Sequence, residues 1–194
     1  MKQDPIKKFE TWWEIAKENF LLNQSNAACL STINKDGFPS GRFVDLKEID
    51  DQCFIFCTSF ESEKACEIIN NPNVALTIWW DHVGFQVRIT GTARTIPNRD
   101  AIIHWQNRSR EAQITSVCSN QSEEINRMEK LREKIDHFKN SMSNESVIPK
   151  PATWGCFKVQ PIQIEFLIFN ENRLHLREFY ELKDEKWRKS LLQP

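Results

Sequence analysis

Hydrophobic residues near the N-terminus recur with the spacing of a helix. The pair Asp4-Pro5 is a favourable helix start, because aspartate caps a first turn well and proline is tolerated at the first helical position. Apolar side chains then follow on one face of the predicted helix: Phe9, Trp12, Trp13, Ala16 and Phe20. We therefore expect a helix within residues 1–24 that packs on the rest of the protein.

From Ala27 onward the pattern changes to the alternation that is typical of strands, with short polar turns between them. The predicted strands are 27–33, 40–46, 53–58, 74–80, 85–96, 156–169 with an interruption near Pro161, 174–182 and 186–191. On the fifth strand Phe85, Val87 and Ile89 are expected to face the core. Gln86 and Arg88 are then expected on the opposite face.

Helical patterns fall between the predicted hairpins. The predicted helices cover 62–70, 98–107 and 123–141, while 108–122 is predicted as polar and irregular and 142–153 as a linker. Antiparallel strands with inserted helices indicate an α+β, mainly β protein: a small antiparallel β-barrel with peripheral helices. We expect a single domain over 1–194, with a helical insertion at 98–141 and C-terminal strands at 154–194.

Composition and charge narrow the class of function. Lys and Arg number 26 and Asp and Glu 27, so the net charge of -1 argues against a polycationic nucleic-acid-binding protein. No apolar stretch approaches the roughly 18 residues that span a membrane, and the first residues lack the apolar core of a signal peptide. We expect a cytoplasmic protein that binds neither nucleic acid nor membrane. With only 5 glycines and no Gly-rich nucleotide loop, a bound phosphate must be held by side chains.

Six cysteines occur, and the expectation for all of them is a reduced thiol. The chain is long enough for a proper core and shows no secretion signal, which makes disulfides unnecessary. Cys53 and Cys57 are the one close pair, and on a strand they would lie about 13 Å apart, too far for one metal ion. No metal site is predicted.

The segment Arg173-Leu174-His175-Leu176-Arg177 is the clearest candidate for chemistry. On a strand, Arg173, His175 and Arg177 share one face, so two fixed cations would flank a titratable imidazole. Such a cluster suits a phosphate or carboxylate. A solvated strand face that carries three such residues is the alternative.

Further polar positions lie at predicted strand ends. Arg42 and Lys47 have opposite strand parity, so they share a pocket only if the strand bulges or ends between them; otherwise they form a charged edge. The turn at 59–64 could cradle an anion with Lys64. Gln86 could bind the edge of a planar heterocycle or be simply exposed, and for Ser122 we favour a helix cap.

Seven sequence stretches, in their joint order and spacing, carry a family resemblance. They are GRFVDLK at 41–47, IFCTSFESEKACEI at 55–68, FQVRITGTA at 85–93, NRSREAQITSVCSNQS at 107–122, PATWGCF at 151–157, IEF at 164–166 and RLHLR at 173–177. Together they resemble the pyridoxamine 5′-phosphate oxidase family of flavoproteins over nearly the whole chain. The resemblance implies an FMN-binding split barrel that forms a homodimer, with FMN at the interface.

The resemblance also implies a reaction and a set of site residues. The reaction is oxidation of pyridoxamine or pyridoxine 5′-phosphate to pyridoxal 5′-phosphate, with O2 as acceptor and H2O2 as product. Arg173 and His175 would act at the reacting face. The implied FMN-binding residues are Arg42, Phe43, Val44, Lys47, Cys57, Thr58, Lys64, Gln86, Gln121, Ser122, Leu167 and Arg177. The implied substrate-binding residues are Lys47, His104, Arg108, Arg173 and His175.

Several positions depart from the family pattern. Cys57 stands where the family has a Tyr, Glu63 where it has an Arg, and His104 where it has a second Tyr. Ala112 replaces a Ser, Leu167 a Trp and Leu176 an acidic residue. His104 can still donate a hydrogen bond, whereas Ala112 cannot. Two alternatives therefore stay open: a related FMN oxidase with another substrate, such as a dihydrophenazine, and a non-catalytic flavin-binding module.

Overall fold

A computed structural model describes residues 4–18, 25–143 and 146–194. The helices in these ranges are α1 (Pro5–Glu18), α2 (Glu63–Asn70), α3 (Asn98–Gln106), α4 (Arg110–Cys118) and α5 (Met128–Ser141). The strands are β1 (Ala27–Ile33), β2 (Pro39–Asp50), β3 (Cys53–Ser59), β4 (Asn73–Trp80), β5 (Phe85–Thr95), β6 (Trp154–Ile168), β7 (Leu176–Lys183) and β8 (Lys186–Leu192). A short 3-10 turn, Asp81–Val83, joins β4 to β5.

Six of the strands close into an antiparallel barrel. Their order is β3-β2-β1-β4-β5-β6, and β6 returns to pair with β3, while β7 and β8 extend the sheet beyond β6. Closure removes the free edges that an open sheet would expose. The predicted fold class, a mainly β protein with an antiparallel split barrel and peripheral helices, is confirmed. No helix in the described ranges is long and apolar enough to cross a membrane.

The barrel core is built from inward-facing strand residues and is covered by α1. Val87 and Ile89 are fully buried, and Phe85 packs against the same core, as the alternation predicts. Phe9 of α1 is also fully buried and lies edge-on to Phe54, with ring centroids 4.9 Å apart. The expected docking of the first helix is thus confirmed for its described residues. The expected contact of Phe20 lies outside them.

A second cluster lies beneath α3 and α4, outside the barrel. Trp105 and Ile114 of these helices are buried against Trp154 and Cys156 of β6. The apolar stripe of α5 is only partly buried against this cluster, through Leu131, Ile135 and Phe138. The prediction of an irregular segment at 108–122 is wrong, because α4 forms there. The predicted start of the long helix at 123 is also wrong, since α5 begins at Met128.

Strand β6 passes through Pro161 without the predicted interruption. The β5–β6 register shifts between Thr90 and Gly91, and this irregularity accommodates the proline. The strands approach so closely there that a Cβ on Gly91 would lie 2.1 Å from the Gln160 carbonyl oxygen. Glycine at this position is therefore a steric requirement.

The shared strand face predicted for Arg173, His175 and Arg177 does not form. Strand β7 begins only at Leu176, and Arg173 has a left-handed φ of 64°. His175 lies in the preceding turn, where its Nδ1 accepts a hydrogen bond from the backbone N–H of Asn170 at 3.1 Å. The turn interrupts the two-residue period on which the prediction depended.

The expectation that all cysteines are reduced is wrong for one pair. Cys57 of β3 and Cys156 of β6 form a disulfide that joins positions 99 residues apart. The two residues are direct partners in the β3–β6 ladder, which is the pairing that closes the barrel. Among the described residues, Cys29, Cys53, Cys66 and Cys118 are free thiols.

Candidate functional site

The turn from β3 into α2 carries a buried cation. Lys64 is only 7% exposed, and its Nζ donates to Thr58 Oγ1 at 3.3 Å. Burial, and next the nearby Arg42 guanidinium, lowers the pKa of Lys64. Among the described residues no carboxylate forms an ion pair with it. A desolvated cation without an ion-pair partner is a natural site for an anionic ligand.

Arg42 is fixed beside this cation by a buried carboxylate. Its Nη2 lies 2.9 Å from Glu67 Oε2, and Glu67 is 5% exposed on α2. The guanidinium also donates to the Thr32 hydroxyl and to Ser40 Oγ. Arg42 and Lys64 therefore lie close enough for their charges to interact.

A segment distant in sequence lies across the same turn. Gln121 Oε1 accepts hydrogen bonds from Thr58 Oγ1 at 3.0 Å and from the Ser59 backbone N–H at 3.3 Å. Ser122 Oγ accepts from the backbone N–H of Glu63 at 3.3 Å. The favoured role of Ser122 as a helix cap is wrong, because α5 starts at Met128 with Arg127 as its N-cap.

The acid at position 63 does not project into this turn. The side chain of Glu63 is exposed, whereas that of the next residue, Lys64, is buried. Its charge raises the pKa of Lys64, but less than burial and Arg42 lower it. The departure from the family's base at this position therefore leaves the buried cation in place.

A second group of expected site residues forms a row across three strands. Gln86 of β5 pairs with Leu167 of β6, which pairs with Arg177 of β7. Arg177 Nε donates to Glu165 Oε1 at 2.7 Å, and Glu165 also accepts from Arg88 at 3.1 Å. In the described part of one chain, no hydrogen bond or ion pair links this row to Lys64 and Arg42.

A cavity of about 910 Å³ brings expected cofactor and substrate positions together. It lies between the end of β3 and helix α4, and its lining includes Cys57, Thr58, Arg108, Ala112, Ser116 and Gln121. The guanidinium of Arg108 stacks over Trp154, with 5.2 Å from Cζ to the ring centroid. Burial lowers the pKa of Arg108. This cavity thus offers a partly desolvated cation to a ligand.

Other expected positions lie outside that cavity. The bulge that would allow Lys47 to share a pocket with Arg42 exists, because the β2–β3 register shifts at Lys47. Lys47 nevertheless lines a separate cleft of about 620 Å³ beside α1. It therefore does not share a pocket with Arg42 in one chain. Its Nζ is 3.7 Å from Asp45. His104 Nε2 lies 3.3 Å from Glu48 Oε1.

The remaining expected positions are more exposed. Phe43 is 75% exposed, while Val44 packs partly against the barrel core. Arg173 is exposed, and the ring of His175 packs on Phe169 with 4.8 Å between centroids. In the described part of one chain, no hydrogen bond or ion pair links Arg173 or His175 to Lys64 or Arg42.

Sequence reasoning missed the two carboxylates that fix the arginines. Glu67 lies one helical turn after Lys64, a spacing that could have signalled a shared face. Glu165 sits between the buried residues Ile164 and Phe166 and is itself buried. Its ladder partner is Arg88, a pairing that becomes visible only once the strand register is known.

Comparison with known proteins covers both parts of the chain. The family profile described as pyridoxamine 5′-phosphate oxidase matches residues 16–141. The profile described as the pyridoxine 5′-phosphate oxidase C-terminal dimerisation region matches residues 154–194. The chain is 39% identical over 191 residues to a pyridoxine/pyridoxamine 5′-phosphate oxidase of Leptospira biflexa, covering 98% of this chain and 89% of the relative.

Two solved structures have the same fold. The crystal structure of PhzG from Burkholderia lata 383 in complex with tetrahydrophenazine-1-carboxylic acid superposes with a TM-score of 0.92 at 28% identity, over 98% of this chain and 93% of the other. A pyridoxamine 5′-phosphate oxidase-related, FMN binding protein from Nostoc punctiforme has a TM-score of 0.81 at 17% identity, over 100% of both chains. The second match shows likeness of fold.

Proposed function

This chain belongs to the pyridoxamine 5′-phosphate oxidase family, and we propose that it oxidises pyridoxamine or pyridoxine 5′-phosphate to pyridoxal 5′-phosphate. In this proposal FMN is the cofactor, dioxygen is the acceptor and hydrogen peroxide is released. When bound, FMN supplies the redox chemistry, taking a hydride from the substrate and passing the electrons to dioxygen. The protein contributes binding, orientation and electrostatics.

The observation that carries the proposal is the buried Lys64 beside Arg42, and Lys64 has no ion-pair partner among the residues that the structure describes. The Lys64 ammonium lies close enough to the Arg42 guanidinium for their charges to interact, and this concentration of positive charge suits the phosphate of FMN. Ser122 and Gln121 already lie against the same turn, and they would stay as ligands of the phosphate and ribityl chain. The donor set therefore fits the cofactor although glycine-rich loops are lacking.

The row on β5, β6 and β7 would hold the ring end of FMN. Gln86 offers an amide that can pair with the edge of a planar heterocycle. Arg177 is held in one orientation by Glu165, so little side-chain freedom is lost when it binds. Leu167 gives the row an apolar middle where the family has a tryptophan.

We infer that two copies of the chain complete the site, with FMN at their interface. The row lies apart from Lys64 in one chain, so a second copy is needed to supply both ends of one cofactor. The match of residues 154–194 to a dimerisation region supports this arrangement, since Leu167 and Arg177 fall within it. Phe43, Leu174 and Leu191 are at least 66% exposed, and they offer apolar surface for such a contact.

The substrate would lie against Arg108, with Lys47 and His104 contributing from β2 and α3. Arg108 is the strongest of these, because its guanidinium is partly desolvated over Trp154. Arg173 and His175 would face the pyridine ring as the catalytic pair. They lie on a turn in the dimerisation region, so they would approach from the second copy.

A second candidate is oxidation of a dihydrophenazine carboxylic acid. The observation that favours it is the structure with a TM-score of 0.92, a protein in complex with tetrahydrophenazine-1-carboxylic acid. Ala112 also removes a hydroxyl that the family directs to the substrate phosphate. A carboxylate could use Arg108 in place of a phosphate.

Peroxide release separates the candidates. The purified protein is loaded with FMN, and peroxide is measured with pyridoxamine 5′-phosphate, pyridoxine 5′-phosphate, unphosphorylated pyridoxamine and a dihydrophenazine carboxylic acid. We expect one peroxide per pyridoxal 5′-phosphate formed. No turnover of either phosphorylated compound at full FMN loading would contradict the proposal. Turnover of the phenazine alone would favour the second candidate, and turnover of none would indicate a flavin-binding module.

A further inference from the structure

Helix α4 lines the 910 Å³ cavity, and the hydroxyl of one of its lining residues, Ser116, accepts a hydrogen bond from Arg108. Residues 112 and 116 are one turn apart on this helix, so their side chains share a face. Both line the cavity, and Arg108 lies just before the helix. Position 112 holds an alanine, and the hydroxyl at this face belongs to Ser116.

Ser116 and Arg108 are joined in a closed set of hydrogen bonds. Arg108 Nη2 donates to Ser116 Oγ at 3.2 Å and to the Ala112 carbonyl oxygen at 3.3 Å. The Ser116 hydroxyl in turn donates to the same carbonyl at 2.9 Å. The Nη2 group of Arg108 is therefore fixed to the helix by the Ser116 hydroxyl. That hydroxyl acts as an acceptor because its own hydrogen is donated to the Ala112 carbonyl.

The Nη1 group of the guanidinium is left for a ligand. Among the described residues, Arg108 Nη1 forms no hydrogen bond, and the buried Nε also has no partner. The ring of Trp154 fixes the plane of the group from below. An arginine so held keeps its Nη1 group in one orientation, which reduces the conformational cost of binding an anion.

We propose that Ser116 is the hydroxyl that positions Arg108 for the substrate phosphate, replacing the side chain that Ala112 lacks. This inference rests on the proposed function, and it makes residue 116 a determinant of specificity for phosphorylated substrates. The hydroxyl has moved by four residues, about 6 Å along a helix axis. It therefore acts on the arginine from the far side of the turn and is a positioning residue.

The test measures binding of pyridoxal 5′-phosphate and of unphosphorylated pyridoxal to the FMN-loaded protein. Ser116→Ala should raise the Kd of the phosphorylated compound by about tenfold and leave that of pyridoxal within a factor of about two. FMN affinity should not change. In steady-state assays KM should rise and kcat should stay nearly constant.

A transfer of the hydroxyl tests the replacement itself. Ala112→Ser combined with Ser116→Ala should recover most of the lost affinity, because a hydroxyl returns to the same helix face. Ser141→Ala is the matched control, since Ser141 is exposed on α5, donates to the Phe138 carbonyl oxygen and is not among the residues that line the cavity. It should leave both dissociation constants unchanged.

The inference is overturned if Ser116→Ala binds pyridoxal 5′-phosphate like the parent, or if both compounds lose affinity equally. It is also overturned if the double variant recovers nothing. Because binding is measured without turnover, a failure of this inference can be told apart from a failure of the proposed function. If phosphate binding depends on Ser116 but no oxidation occurs, the proposed function is contradicted and the inference about Ser116 is supported. If oxidation is normal and Ser116→Ala does not change binding, the proposed function is supported and the inference is contradicted.

Discussion

Arg177 is held by the buried carboxylate of Glu165, with 2.7 Å between Nε and Oε1. Its Nη1 donates to the backbone oxygen of Gln193 at 2.9 Å, so the guanidinium is fixed from two sides. The hydrogen bond that Arg177 donates to Glu165 raises the pKa of Arg177, which stays charged at any pH of interest. A cation held in this way, on a strand of the dimerisation region, is suited to contact a cofactor.

Arg177→Ala should weaken FMN binding by about 1.5–3 kcal/mol, the range for a lost hydrogen bond to a charged group. The Kd for FMN is measured by quenching of flavin fluorescence. Arg88→Ala is the control, because Arg88 shares the Glu165 carboxylate but has a side chain that is 56% exposed. Flavin binding that Arg177→Ala leaves unchanged would remove this residue from the cofactor site.

FMN affinity should fall at alkaline pH because of Lys64. Burial and Arg42 hold the pKa of Lys64 below its ordinary 10.5 in the folded protein. An anionic phosphate favours the charged form, so affinity is full below the lowered pKa and falls as the pH rises through it, by up to about tenfold per pH unit. The Kd for FMN is measured across pH 7 to 11.

Lys64→Arg is the matched variant for the pH experiment, since arginine keeps its charge throughout this range. It should retain affinity to higher pH than the parent. In the protein without FMN, Lys64 should make folding stability rise with pH. Between the lowered pKa and 10.5 the unfolded state binds more protons than the folded state, so the free energy of unfolding increases with pH in that range. A pH profile of FMN binding that is identical in both proteins would count against Lys64 as a phosphate ligand.

Glu178 links α1 to the C-terminal strands, and its contribution to folding stability should depend on pH. It accepts hydrogen bonds from Lys8 of α1, from Lys189 of β8 at 2.9 Å and from Tyr180 at 3.1 Å. Burial alone would raise the pKa of Glu178, but these donors together lower it. Its contribution to stability is therefore present above the ordinary 4.5 and lost as the pH falls through the lower folded value.

Glu178→Gln should cost about 1–3 kcal/mol of unfolding free energy at pH 7 and flatten the acid limb of the stability curve. Urea unfolding at several pH values measures both effects. Glu14→Gln removes an exposed ion pair with Lys17 on the same helix and should change stability by less than about 0.5 kcal/mol. Equal losses in the two variants would refute a special role for Glu178.

Reducing the Cys57–Cys156 disulfide should lower stability by about 2–4 kcal/mol, because it closes a long loop. The melting temperature is measured with and without a thiol reductant, and free thiols are counted under denaturing conditions. Cys57→Ser should match the reduced parent and lose its response to reductant. Cys66→Ser, at an exposed free thiol, should behave like the parent. Six free thiols in the untreated protein would contradict the disulfide.

Strand alternation and helix spacing predicted most of the fold because they depend on local sequence. Val87 and Ile89 are buried where the two-residue period places them. Helix α4 escaped prediction because only Ile114 and Cys118 are buried on it, and its serine, threonine and glutamine are also typical of a loop. The turn at Arg173 escaped because periodicity does not report a left-handed φ.

The site was harder to predict than the fold, because its contacts join distant residues. The pairing of Cys57 with Cys156 depends on a ladder across 99 residues. The burial of Glu165 depends on the packing of β6, and the hydrogen bond between Ser116 and Arg108 depends on a helix that was not foreseen. A family resemblance named Arg108, but it gave no means to find Ser116, which accepts a hydrogen bond from it.

Strand β6 also determines when this protein can fold during synthesis. It pairs with β3, β5 and β7, and it is made only after residue 153. Synthesis proceeds at about 5–20 residues per second. The edges of β3 and β5 that later pair with β6 therefore stay unpaired for several seconds before β6 is made. A nascent chain stopped before Trp154 cannot close its barrel, and it leaves two open edges for chaperones or for aggregation.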